Sequence, residues 1–163
     1  MDLNEIKLER VTMQTKNKLE NLMNLYLHDL SEFADDLKPN EAGKFEYEGL
    51  NLYFAKEELN PLFIIYQGET AGFVLLNSGK YAGKDIDYVI HELFILKGFR
   101  NKGIASAAIE NLMSIYKGKY KVGQIVSNKK AVNFWKMFYN KHNIEYEESE
   151  EAFDGIECIQ QKF

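Results

Sequence analysis

The sequence predicts an α/β protein in which one mixed, largely antiparallel central sheet carries helices on both faces. Three observations predict it. Apolar residues alternate or run together in short segments, as strands require, from Ile6 to Val11, Leu62 to Leu76 and Asp87 to Leu96. They recur at helical spacing from Lys16 to Leu37, Ile104 to Ile115 and Lys129 to Lys141, and these stretches interleave with the strands. The 163 residues suit one domain, spanning 1–163, around one continuous core.

Taken in order, Ile6, Leu8 and Val11 mark a short first strand. Leu19, Leu22, Met23, Tyr26, Leu27, Leu30, Phe33 and Leu37 then return at helical spacing among charged residues, a long amphipathic stretch broken at most once. Thr15 is placed to cap it, and Pro39 and Gly43 mark its end. Asn40 to Asn60 reads as a variable connection, with Tyr47, Leu50, Tyr53 and Phe54 spaced irregularly among acidic residues. A hairpin follows, Leu62 to Tyr66 and Ala71 to Leu76 about a turn at Gln67-Gly68-Glu69. Asn77 to Lys84 is a loop, and Asp87 to Leu96 a longer strand that grows more apolar towards its end.

Beyond Leu96 the period changes. Ile104, Ala108, Leu112 and Ile115 form one helical stripe, widened by Ala105, Ile109 and Met113. Tyr120 to Val126 returns to strand chemistry. Lys129 to Lys141 is again helical, with Ala131, Phe134, Trp135 and Phe138 on one face, and strands near Ile144 to Glu148 and Gly155 to Lys162 close the chain.

Charge and cysteine content exclude some functions. With 20 Lys+Arg against 25 Asp+Glu the formal net charge is -5, which argues against a nucleic-acid partner because phosphate-backbone binding needs a basic face. A single cysteine, Cys158, excludes an internal disulfide framework and a multi-cysteine metal site. His28 and His142 lack partners at metal-ligand spacing, so no metal is expected. Residues 1–5 lack the basic region and apolar run of a secretory signal, and no apolar stretch approaches the roughly 20 residues of a membrane span. The expectation is a cytoplasmic protein without a membrane partner.

Chemistry concentrates in Leu93 to Ser106. A buried strand ends, a turn with two glycines follows, and a helix opens at or just after Gly103. The first N–H groups of a helix have no intrahelical partner and its dipole favours negative charge, so the corner suits a pyrophosphate. Gly103 lets a ligand approach the backbone, Ala105, Ala107 and Ala108 keep the helix slim, and Arg100 and Lys102 add positive charge. The segment is neither a Walker loop nor the Gly-x-Gly-x-x-Gly dinucleotide fingerprint.

A second cluster, Ser127 to Trp135, follows the next strand. With it the sequence resembles the GNAT superfamily of N-acetyltransferases over roughly Leu62 to Asn143. Arg100-Asn101-Lys102-Gly103-Ile104-Ala105 matches that family's Arg/Gln-x-x-Gly-x-Gly/Ala turn, and Asn128, Ala131, Phe134 and Trp135 match its Asn-x-x-Ala-x-x-Phe-Tyr block, with Trp in place of Tyr.

The resemblance implies acetyl-CoA as cofactor and a primary amine as acceptor, whether a small molecule, a peptide N-terminus or a lysine, attacking directly. It implies a splay between the strand Asp87 to Leu96 and the strand Tyr120 to Val126. There Phe94, Ile95 and Leu96 would hold the pantetheine arm through backbone groups, and an N–H near Leu96 would polarise the thioester. Arg100, Asn101, Lys102, Gly103, Ile104, Ala105 and Ser106 would hold the pyrophosphate. Asn128 would bond the pantetheine, cap the next helix, or both, with Ala131, Phe134 and Trp135 packed nearby.

Glu92 is the expected base: two residues before Phe94, it lies on the same side of an unbulged strand, and the alternative for it is a structural carboxylate. His91 points the other way. The thiolate's proton donor is expected at Tyr139, one turn after Trp135, or from water or the product amine. Tyr26, Asp29 and Phe33 are expected to border the acceptor cleft, with Tyr47 and Tyr53 as weaker contributors. A homodimer is left open, and so is an acyl-CoA-binding or sensing module without turnover.

Overall fold

In the computed structural model, which describes residues 5–163, seven strands form one sheet in the order β1-β2-β3-β4-β5-β7-β6. The strands are β1 (Ile6–Arg10), β2 (Leu59–Tyr66), β3 (Glu69–Ser78), β4 (Tyr88–Ile95), β5 (Tyr120–Ile125), β6 (Glu147–Phe153) and β7 (Ile156–Lys162). The helices are α1 (Lys16–Leu30), α2 (Ile104–Ile115) and α3 (Lys129–His142). Every neighbouring pair is antiparallel except β4 and β5. The expected mixed, largely antiparallel sheet is therefore observed.

Alternation along β3 sorts the core into two layers. Phe73 and Leu75 pack with Leu19, Met23 and Leu27 of α1 and with Phe94 of β4. Val74 and Leu76 face the other way, onto Ile109 and Leu112 of α2 and Trp135 and Phe138 of α3. The β2–β3 hairpin turns on Gln67 and Gly68, both at positive φ, a two-residue turn whose twist suits the strands it joins.

The structure differs from the sequence reading at several places; the expected loop from Asn77 to Lys84, for one, opens with the last two residues of β3 and holds a 3-10 turn at Gly79–Tyr81. Helix α1 stops at Leu30, and Phe33 and Leu37 lie in the turns beyond it; Thr15 precedes the helix, yet its hydroxyl accepts from the Thr12 N–H at 2.9 Å instead of capping. The connection from Asn40 to Asn60 is not featureless. It holds a 3-10 helix at Leu50–Phe54 and is tied to α1 where the Phe45 N–H donates to Asn24 Oδ1 at 2.7 Å. The penultimate strand lies at Glu147–Phe153, not near Ile144 to Glu148, and pairs with β7 through a turn at Asp154 and Gly155, both at positive φ. Every residue of β6 is exposed, so no apolar alternation announces it.

Candidate active site

Strands β4 and β5 pair only at Tyr88↔Tyr120, Val89↔Lys121 and Ile90↔Val122. Past Ile90 they part, leaving the second half of β4 with β3 as its only strand partner among the described residues. The Leu96 N–H donates to the carbonyl of Ala71 on β3 at 2.8 Å. In a trans peptide the Ile95 carbonyl must then point the opposite way, into the gap. By the two-residue alternation of a strand, Leu93 and Ile95 present their backbone groups to the gap, whereas Phe94 presents its own to β3; past the strand end the Leu96 N–H also faces β3, while its carbonyl accepts from the Phe99 N–H at 2.8 Å. Leu93 is a gap residue that the sequence did not mark, because which edge a backbone group faces depends on pairing register. Gly72, opposite Ile95, could not carry a side chain: a Cβ there would meet the Phe94 carbonyl oxygen at 1.9 Å.

The chain leaves this gap through one 3-10 turn at Lys97–Phe99, then Asn101 and Gly103 at φ +59° and +77°, and enters α2 at Ile104. Among the described residues no side chain caps α2, so the leading N–H groups of Ile104, Ala105 and Ser106 face outward without an intrahelical acceptor. The Ile104 side chain is buried with Ala107 and Ala108, which seats the helix on the sheet. These features fit a diphosphate: a side-chain-free approach at Gly103 and three converging N–H groups.

The cations near the turn are already engaged. Lys102 Nζ donates to the Gly98 carbonyl at 2.8 Å, and Ser106 Oγ bonds Glu110 Oε1 at 3.2 Å. Arg100 Nε donates to the Ile95 carbonyl at 2.7 Å and its Nη2 to Asp29 Oδ2 at 2.6 Å. Its guanidinium lies 5.5 Å from the centre of the Phe94 ring, on the α1 side of the sheet and so away from α2.

Glu92 sits beside the opening of the gap. A bulge on β4 pairs Ile90 with Leu76 and Glu92 with Leu75, leaving His91 without an opposite residue. The irregularity comes before Glu92, so Glu92 keeps the side of Phe94, while Ile90 is turned to the α2 side. Its side chain is 16% exposed. The Tyr26 hydroxyl donates to Oε2, and the Tyr47 hydroxyl to Oε1 at 3.1 Å. Burial raises the Glu92 carboxyl above its ordinary value, only partly offset by His91, which is 3.9 Å away, and by the two phenol hydrogen bonds. Burial and the same carboxylate push both phenols upward, so Tyr26 and Tyr47 stay neutral donors.

Helix α1 brings Tyr26 to Glu92 and, one turn later, Asp29 to Arg100. Phe33 lies beyond the helix end, half-buried, and is not brought into this group. Tyr53 reaches a different partner, Asn77 Oδ1, at 2.6 Å. On the opposite face, Asn128 Oδ1 accepts from the Ala131 N–H at 3.2 Å and so caps α3. Trp135 is buried between α3 and the sheet with Phe134 against its ring, and Tyr139 beside it is 1% exposed with its hydroxyl 3.4 Å from Gln161 Oε1. Tyr139 therefore lies across the sheet from Glu92 and is not brought to it.

The model of the acetyltransferase (GNAT) family matches residues 19–138. Solved structures share the fold across nearly the whole chain at low identity. An acetyltransferase from Thermus thermophilus superposes with a TM-score of 0.74 at 14% identity, covering 100% of both chains. A spermidine/spermine N-acetyltransferase from Vibrio cholerae gives 0.62 at 14%, covering 99% of this chain and 93% of that one. An Arabidopsis thaliana protein in complex with the bisubstrate analogue CoA-Ac-MVNAL gives 0.58 at 13%, covering 98% of each. No curated protein matches the chain.

Proposed function

The chain belongs to the acetyltransferase (GNAT) family, and from that premise we propose that it is an N-acetyltransferase acting on a primary amine of a small molecule or peptide, with Glu92 as the base. The observation that carries this reading is the placement of one desolvated carboxylate beside the point where β4 and β5 part. Of the similar structures, one is of a spermidine/spermine N-acetyltransferase and another holds a CoA bisubstrate analogue, which supports an amine acceptor and acetyl-CoA as donor. The net charge of -5 agrees with a small or peptide acceptor over a nucleic acid, and the lone cysteine with the reducing cytoplasm.

Residues fit the cofactor in two places. The gap-facing backbone groups of Leu93 and the Ile95 N–H would take the pantetheine amides, and the N–H groups of Ile104 to Ser106 beside Gly103 would take the diphosphate. When bound, acetyl-CoA supplies the acetyl thioester that a neutral amine attacks directly. An amine arrives protonated at neutral pH, and Glu92 removes that proton. Its raised carboxyl brings the base nearer to the working pH than an exposed glutamate would be. Tyr26 and Tyr47 hold the carboxylate from two sides, leaving it one orientation. With its hydroxyl turned to Gln161 in the core, Tyr139 takes no part, and water or the product amine supplies the last proton.

Incubation with acetyl-CoA and a panel of amines, with free thiol as the readout, tests the reading. Thiol release that depends on the amine is expected. Binding of acetyl-CoA without turnover on a broad panel would favour a sensing module instead.

A further inference from the structure

Helix α1 is bonded to Glu92 of β4 directly and to the end of β4 through Arg100, and the second link has no part in the chemistry just described. Tyr26 reaches Glu92, while Asp29, three residues on and on the same face, holds Arg100. Arg100 in turn donates from Nε to the Ile95 carbonyl. That carbonyl is on the edge of β4 that β5 has abandoned, so the guanidinium stands where a strand partner would stand. The side chains of Asp29 and Arg100 are 26% and 35% exposed, and Lys97 Nζ approaches the other carboxylate oxygen of Asp29 at 3.6 Å. Partial burial pushes the Asp29 carboxyl upward, but the hydrogen bond and charge of Arg100, with Lys97, outweigh it and hold the carboxyl below its ordinary value. The guanidinium also stacks over Phe94, whose ring lies 5.6 Å from that of Tyr26. One connected set of contacts thus joins α1, the free end of β4 and the turn that leads to Gly103.

We propose that Asp29 is a positioning residue. Through Arg100 it latches α1 to the Ile95 carbonyl, so that the free end of β4 and the turn after it are held in register with the helix that carries Tyr26. In this role Arg100 serves as a strut under the cofactor turn, its side chain directed away from α2. The latch rests on the acetyltransferase reading for its purpose, but its mechanical part stands on contacts within the chain.

The test compares the free protein with Asp29→Asn, Asp29→Glu and Arg100→Lys. Amide hydrogen exchange without ligand is expected to accelerate by about tenfold from Ile95 to Gly103 in Asp29→Asn and Arg100→Lys, as loss of one charge-assisted hydrogen bond implies, and to stay unchanged in the β2–β3 hairpin. Lysine cannot bond the Ile95 carbonyl and Asp29 together as the guanidinium fork does. Calorimetry should show acetyl-CoA bound about tenfold more weakly by Asp29→Asn, with Asp29→Glu recovering most of the loss. Unchanged exchange in 95–103 would overturn the latch. Faster exchange with unaltered acetyl-CoA affinity would make the pair purely structural, and tighter binding would show that Asp29 competes for Arg100; either overturns the proposal. A wild-type protein giving no heat with acetyl-CoA would count against the cofactor reading, while the exchange comparison would still decide the latch.

Discussion

The Tyr47 hydroxyl donates to Glu92 Oε1 at 3.1 Å, joining a connecting segment to the middle of β4 across 45 residues of chain. Together with Tyr26 on the other oxygen, it makes the carboxylate a two-sided acceptor in a largely dry setting. The behaviour of the site under mutation and pH follows from that arrangement.

Glu92→Gln keeps the shape and removes the base. Its kcat is expected to fall about 100-fold or more, the scale of general-base catalysis. The affinity for acetyl-CoA should hold within about twofold, because the cofactor contacts lie on the gap edge and at α2. Thiol release and calorimetry measure the two effects separately; parallel losses in both would argue that Glu92 is structural.

Activity should rise with pH along a limb set by Glu92, at a value above the ordinary glutamate pKa of about 4.3. Tyr47→Phe removes one hydrogen bond that stabilises the ionised form, so this limb is expected to move to higher pH. A limb that stays in place in Tyr47→Phe would sever the link between this hydroxyl and the base.

The same shift carries a stability consequence. A carboxyl whose folded pKa is raised binds its proton more tightly in the folded chain. Its contribution is full below the unfolded value and is lost as pH rises through the raised folded value. Glu92→Gln cannot lose it. The Tm of Glu92→Gln relative to wild type should therefore climb with pH from about 4 and level off above the folded pKa. A difference independent of pH would contradict the raised carboxyl.

Gly103→Glu places a negative side chain at the cradle, on a residue at φ +77°. Acetyl-CoA affinity is expected to fall by more than about 100-fold, from repulsion added to strain. Gly103→Ala serves as the control, costing about 1 kcal/mol of stability for the left-handed backbone while keeping much of the affinity. Retained binding in Gly103→Glu would put the diphosphate elsewhere.

Gly72→Ala tests the crowding beside the gap. A Cβ would meet the Phe94 carbonyl oxygen at 1.9 Å, a backbone atom that cannot swing aside. Chemical denaturation should show a loss of about 2 kcal/mol or more, since β3 or β4 must shift. A neutral substitution would mean that the two strands yield easily there.

Local pattern alone determines much of this protein. Helical spacing from Leu19 to Leu27 and from Ile104 to Leu112, and apolar runs in β2, β3 and β4, are signals written within each segment, and the fold they imply is the fold observed. The turn at Gly103 was legible for the same reason, since a strand, glycines and a helix are neighbours in sequence. What the sequence left undecided belongs to contacts between distant segments. Tyr47 sits in an irregular stretch and gains its role only when that stretch folds over β4. Arg100 looks like a phosphate ligand until α1 brings Asp29 to it, and Tyr139 looks like a donor until β7 brings Gln161. Register also lies outside local pattern: the bulge at His91 turns Ile90 from the face of Glu92, and pairing with β3 decides that Leu93 and Ile95 face the gap. Periodicity tells which side of an element is apolar, whereas a hydrogen bond needs two partners, and only the tertiary structure chooses the second.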